Sequence, residues 1–164
     1  MSRHVSWTAL RTAAWIATAA ILLAGCGSGP VRRVSEPAAS IQQLTVRADG
    51  RWDVQLRLDN FSSVPMRFTA TDIRIAFDNG AAGSLQAQPH LSIGPESADV
   101  VNTTITPTAD GRARIATALA DGRSLDYTLG GTVDAAPEDG KSRTYKIERS
   151  SALTPVPGLP GVLR

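Results

Sequence analysis

The sequence predicts an antiparallel β-sandwich of seven or eight short strands with one short helix, and three observations predict it. Apolar and polar residues alternate with period two along most of the chain after residue 40. Turn signals (Asp49-Gly50, Asn79-Gly80, Gly94-Pro95, Asp139-Gly140) punctuate the alternating stretches. One segment alone, 112–120, switches to helical spacing. Strict alternation marks half-buried strands, and closely spaced turns between many such strands mark an all-β sandwich.

The first residues read differently. Arg3 and Arg11 flank a polar start, and an apolar run (AAWIATAAILLA) follows over 13–24. A positive start, an apolar run of about a dozen residues and small residues before a cut are the parts of a secretory signal, whereas a spanning helix needs ~20 apolar residues. The run closes on Leu23-Ala24-Gly25-Cys26. These four residues resemble the lipobox of bacterial lipoproteins. That resemblance implies a signal peptide over 1–25, cleavage between Gly25 and Cys26, diacylation of the Cys26 thiol and acylation of the new amino terminus. Two or more acyl chains hold a protein on a membrane where one does so only marginally. A cysteine at the end of an ordinary signal peptide is the plainer alternative. Gly27, where Asp would imply inner-membrane retention, resembles the outer-membrane class of Gram-negative lipoproteins.

Residues 26–40 (CGSGPVRRVSEPAAS) combine Gly, Ser, Pro and charge without an apolar period, so they are expected to form a lipidated start and a flexible tether. The folded body is expected over 41–153. Leu44, Val46 and Ala48 share one face of a first strand, and Asp49-Gly50 supplies a two-residue turn into the next. In that second strand Trp52, Val54, Leu56 and Leu58 alternate with Asp53, Gln55, Arg57 and Asp59, which predicts antiparallel pairing with the first. Met66, Phe68 and Ala70 then face one way, while Ile73, Ile75 and Phe77 take the opposite parity, so a bulge or break is expected near Thr71-Asp72.

Asn79-Gly80 closes that strand. Leu85 with Ala87 and Leu91 with Ile93 are short apolar pairs around Pro89, and Val101, Thr103 and Ile105 form a β-branched run. Ile115, Ala116 and Leu119 sit at helical spacing, with Asp110 as the expected cap and Gly122 beyond the end. Leu125, Tyr127, Leu129 and Val133 resume the alternation, and Tyr145 and Ile147 answer across a loop. The segment 154–164 (TPVPGLPGVLR) holds too many prolines for a central strand. It reads as a coil whose Val156, Leu159, Val162 and Leu163 cover a sandwich edge, or else as a docking peptide.

The alternating strand ending Leu58-Asp59-Asn60, the following Val64-Pro65, the stretch Ile73-Arg74-Ile75-Ala76-Phe77-Asp78-Asn79-Gly80 and the strand Tyr127-Thr128-Leu129-Gly130-Gly131-Thr132-Val133 resemble the late embryogenesis abundant type 2 family, also called the water stress and hypersensitive response domain. The resemblance covers roughly 41–153. It implies an immunoglobulin- or fibronectin-like sandwich without enzymatic activity, associated with desiccation and stress protection. Family members carry Asn-Pro after the second strand; here Asn60 is followed by Phe61, and proline comes only at 65.

Composition excludes several functions. The chain of 164 residues carries seventeen Lys and Arg against fifteen Asp and Glu, and two of the arginines precede residue 26, so the processed chain is formally neutral. A neutral body with interspersed signs argues against nucleic acid as a partner. Cys26 is the single cysteine, which excludes an internal disulfide and a CxxC site. His90 is the one histidine after residue 25, and it has no motif around it; a loop histidine is the plain reading and a general base the sharper one. Asp49, Asp59, Asp78 and Asp139 stand in turn-like settings and lack the spacing of a calcium loop. No catalytic residue, cofactor or metal site is expected. Trp52, Phe68, Phe77, Tyr127 and Leu129 are expected to fill the core, or alternatively to line a cleft between the sheets. Two functional classes follow: a non-catalytic envelope lipoprotein in a structural, protective or partner-binding role, and a carrier of lipid or another apolar molecule. The membrane is the expected partner through the N-terminal lipid, with an envelope protein or a lipid as a further partner and no nucleic acid.

Overall fold

The computed structural model describes residues 32–164. The signal segment, Gly25, Cys26 and the first part of the tether lie outside the described residues. The body is an all-β sandwich of two antiparallel sheets. Its elements are β1 (Ala38–Val46), β2 (Trp52–Asn60), β3 (Met66–Phe77), β4 (Gly80–Ala87), β5 (Leu91–Ile93), β6 (Ser97–Ile105), α1 (Ala109–Asp121), β7 (Leu125–Pro137), β8 (Arg143–Leu153) and β9 (Val162–Leu163). One sheet runs β6-β2-β1-β9 and the other β4-β3-β7-β8, with β5 also paired to β3. The ladders β1-β2-β6 and β3-β7-β8 correspond to strands A-B-E and C-F-G of immunoglobulin-like sandwiches.

The core follows the alternation. Trp52, Val54, Leu56 and Leu58 from β2 meet Ile73, Ile75 and Phe77 from β3 and Tyr127, Leu129 and Val133 from β7, all buried. The Trp52 and Phe77 rings lie 6.0 Å apart in a tilted pair, within the range where aromatic pairs attract beyond their area.

Several expectations are refined. The first hairpin is looser than a two-residue turn. Residues 48–50 form the loop, closed by the Arg47 amide donating to the Arg51 carbonyl at 2.9 Å and the Gly50 amide donating to the Arg47 carbonyl at 3.0 Å. Gly50, at φ 81°, supplies the left-handed residue of this three-residue turn, and Ala48 is exposed in it. In the second hairpin the central pair is Asp78-Asn79, at φ 44° and 66°, and Gly80 already belongs to β4. Asp and Asn tolerate the left-handed region that such a tight turn requires.

The parity change in β3 falls at Thr69 rather than at Thr71-Asp72. Phe68 pairs with Ala135 and Ala70 with Asp134, leaving Thr69 as the extra residue. Its hydroxyl donates to the Asp134 carbonyl at 3.3 Å. After the bulge Thr71, Ile73, Ile75 and Phe77 turn inward. A second register shift, between Ile41 and Gln43, lets Ala39 and Ile41 as well as Leu44 face the core.

The helix extends beyond 112–120, and its cap is Thr108, not Asp110. The Thr108 hydroxyl accepts the Gly111 amide at 3.0 Å and donates to the Ala81 carbonyl at 2.7 Å, so one side chain starts the helix and fixes it to β4. Asp110 instead takes Arg114, one turn later, at 2.8 Å. Gly122 ends the helix in the left-handed conformation, as expected.

Two segments outside the expected body belong to it. β1 begins at Ala38, three residues inside the span read as tether. At the other end Leu163 is fully buried and β9 pairs with β1 at Leu44 and Thr45, so the proline-rich segment covers the sheet edge. These additions, with β5, bring the strands among the described residues to nine.

Candidate functional site

The densest polar construction in the described residues sits at the end of the sandwich where the described chain begins. It grows from Asn60, the last residue of β2, which is 1% exposed. Its Nδ2 donates to the carbonyls of Val64 at 2.9 Å, Ile93 at 3.1 Å and Gly94 at 2.8 Å, and its Oδ1 accepts the Ser62 amide at 2.9 Å. A buried amide with all this capacity used is a rigid staple, because each orphaned partner would carry the full desolvation cost. It fixes the loop 61–65 against the end of β5.

Ser62 and Ser63 then catch the incoming chain. The Ser62 hydroxyl, fully buried, accepts the Ser35 amide at 3.0 Å, and the Ser63 hydroxyl accepts the Arg33 amide at 2.8 Å. The Ser63 amide donates back to the Arg33 carbonyl at 3.0 Å. The Arg33 guanidinium donates to the Phe61 carbonyl at 3.0 Å and to Glu96 at 3.1 Å. Glu96 is held at φ 48° while its amide donates to the Ser62 carbonyl. Arg32 pairs with Asp139 at 3.7 Å. These ion pairs are exposed and contribute little by themselves; the buried Asn60 and Ser62 set the geometry.

One group at this end is apolar and open to solvent. Phe61 is 51% exposed and Val34 is 41% exposed. Phe61 stands between two residues that are almost wholly buried, so its ring is presented outward on a fixed base. The sequence marks this place through Asn60 and the phenylalanine after it, but the pairing of 33–35 with 62–63 has no local signature.

The other residues singled out in the sequence stay apart. His90 is exposed at φ 45° in the turn between β4 and β5. Asp49 accepts the Arg51 guanidinium at 2.8 Å and then its amide at 3.0 Å, which holds the carboxyl below the ordinary aspartate range. Asp59 pairs with Arg57, Asp78 with Arg114, and Asp139 with Arg32. Trp52, Phe68, Phe77, Tyr127 and Leu129 are 0–2% exposed and fill the interior rather than lining a cleft. Among the described residues no group of three or more His, Cys, Asp or Glu is placed to hold a metal ion, and no helix is long and apolar enough to cross a membrane. Cys26 and Gly25, the expected modification and cleavage positions, lie outside the described residues.

No family model matches the chain, and no curated protein matches it. Solved structures do. A candidate late embryogenesis abundant (LEA) protein, At2g46140.1, is 14% identical with a TM-score of 0.43, covering 92% of this chain and 87% of that one. AT1g01470 from Arabidopsis thaliana is 11% identical with a TM-score of 0.45, covering 79% and 87%. A protein from Archaeoglobus fulgidus is 14% identical with a TM-score of 0.41, covering 76% and 98%. The sandwich described above is established by this chain's own strand pairing.

Proposed function

We propose that this chain is a non-catalytic lipoprotein of the bacterial envelope, acylated at Cys26, whose sandwich acts in a structural, protective or partner-binding role. The observation that carries the reading is the run Leu23-Ala24-Gly25-Cys26 closing an apolar segment behind Arg3 and Arg11. Stable attachment follows from several acyl chains on one terminus. In a Gram-negative envelope, Gly27 after the cysteine favours the outer membrane, with the sandwich facing the periplasm. The water-stress association rests on the sequence resemblance of 41–153. A filled interior favours this reading over a carrier with its site between the sheets.

Cys26→Ala tests it. The unsubstituted chain is expected in the membrane fraction, with an intact mass that lacks residues 1–25 and carries added acyl groups. The variant is expected to stay uncut or to enter the soluble fraction. Unchanged mass and unchanged membrane association in the variant would overturn the proposal.

A further inference from the structure

We propose that the end of the sandwich carrying Phe61 rests on the same bilayer that holds the acyl chains, with the Phe61 ring in the headgroup region. The inference builds on the acylation of Cys26 and adds an orientation that acylation alone does not give.

Reach comes first. Arg33 is the first of the described residues bonded to the sandwich through its main chain, and it follows Cys26 by seven positions. Seven residues, even fully extended, span no more than ~25 Å. The pinning of Arg33 and Ser35 to Ser63 and Ser62 thus shortens the leash from the span up to Ser40 read in the sequence, and it attaches that leash to the loop that presents Phe61. Held this near, the ring meets the bilayer at a high effective concentration, so a contact too weak to recruit a free protein still forms.

Presentation comes second. Phe61 is half exposed while Asn60 and Ser62 are 1% and 0% exposed, and the Phe61 carbonyl is held by Arg33. A ring on so fixed a base loses little conformational freedom on being buried. Val34 adds a second exposed apolar side chain on the segment bonded to the same loop. The charges beside it are matched, Arg33 with Glu96 and Arg32 with Asp139, so the surface does not depend on anionic lipid. Leu159, also half exposed, lies in the segment that leads to Gly161, whose carbonyl accepts the amide of Val46 at the opposite end of β1.

The mature chain, isolated as the cell processes it and added to phosphatidylcholine vesicles with nitroxide-labelled lipid near the headgroups, provides the test. Trp7 and Trp15 precede the cleavage position, which leaves Trp52, fully buried, as the native emitter. In Phe61→Trp the added emission is expected to fall by about half or more, since an interfacial ring sits ~5–10 Å deep among the labels. In Leu159→Trp it is expected to stay unquenched. Vesicle-bound protein with equal quenching at both positions, or none at 61, overturns the orientation and leaves acylation standing. Emission at 61 that shifts to the blue only on adding envelope extract assigns the end to a protein partner and also overturns it. Protein that fails to float with the vesicles overturns the acylation reading, and this inference with it.

Discussion

The phenolic oxygen of Tyr127, on β7 of one sheet, accepts the main-chain amide of Ile41, on β1 of the other, at 3.1 Å in the buried interior. β9 pairs with β1 only at Leu44 and Thr45, so among the described residues no strand of its own sheet reaches the Ile41 amide on that side. The tyrosine closes the gap and ties the two layers through a directional bond.

Tyr127→Phe removes the acceptor and leaves a buried amide unpaired, at an expected cost of about 1–3 kcal/mol. Tyr145 supplies the contrast, because its hydroxyl is buried without a hydrogen-bond partner among the described residues. Tyr145→Phe is expected to fall within ~0.5 kcal/mol of the parent or to be stabilising. Urea unfolding of both variants checks the pair; equal losses would contradict the assigned role of the Tyr127 hydroxyl.

Asn60→Ala strips one donor group from three carbonyls and one acceptor from the Ser62 amide. Its expected cost is roughly 2–4 kcal/mol, since buried networks lose more than one bond when one member is removed. Hydrogen exchange at the Ser62 and Glu96 amides should rise more than exchange at the centre of β7. Uniform loosening would show that Asn60 acts through general packing instead.

Adjacent glycines in β7 should respond oppositely to alanine. A Cβ on Gly131 would overlap the Asp72 carbonyl and the Ile73 Cα across the β3–β7 ladder, whereas one on Gly130 would meet nothing. Gly131→Ala is expected to cost about 1–3 kcal/mol through overpacking. Gly130→Ala should be neutral or stabilising by up to ~1 kcal/mol, because it narrows the unfolded ensemble. Thermal melts of the two single variants decide the matter.

Asp53 gives a pH test. Its carboxyl is held below the ordinary aspartate range, chiefly by the Thr104 hydroxyl donating at 2.6 Å and then by Arg47. A depressed folded value means the unfolded chain binds the proton more readily. The contribution is therefore complete above the unfolded aspartate range and is lost as pH falls through the depressed value. Thr104→Val should raise the Asp53 titration, followed by carboxyl carbon NMR, and flatten the acid side of the stability curve.

Much of the body is legible in the sequence because burial imposes a period. Trp52, Val54, Leu56 and Leu58 announce β2 without help from any other segment, and their pairing with β1 follows from one turn. What is not legible depends on partners distant in the chain. Thr69 becomes the bulge because Asp134 offers a carbonyl, and Thr108 becomes the cap because Ala81 is near enough to accept its hydroxyl. The same holds for the candidate site. Nothing local to Arg33 and Ser35 shows that Ser62 and Ser63 will hold them, so the segment reads as tether until the fold is known. Proline content similarly hides β9, whose two residues need only the exposed edge of β1 to pair.

That short β9 has a consequence for crowded conditions. An open ladder edge is a template on which a neighbouring molecule can add its own strand. Here one sheet ends in β9 and β6 and the other in β8 and β4. β9 is two residues near Pro155, Pro157 and Pro160, which have no amide to offer, and β8 is studded with Lys146, Glu148 and Arg149, whereas β6 and β4 are longer edges than β9. Copies pressed side by side on a shared surface would thus find no ready seam at β8 or β9, and any strand added by a neighbour would have to pair with β4 or β6 instead.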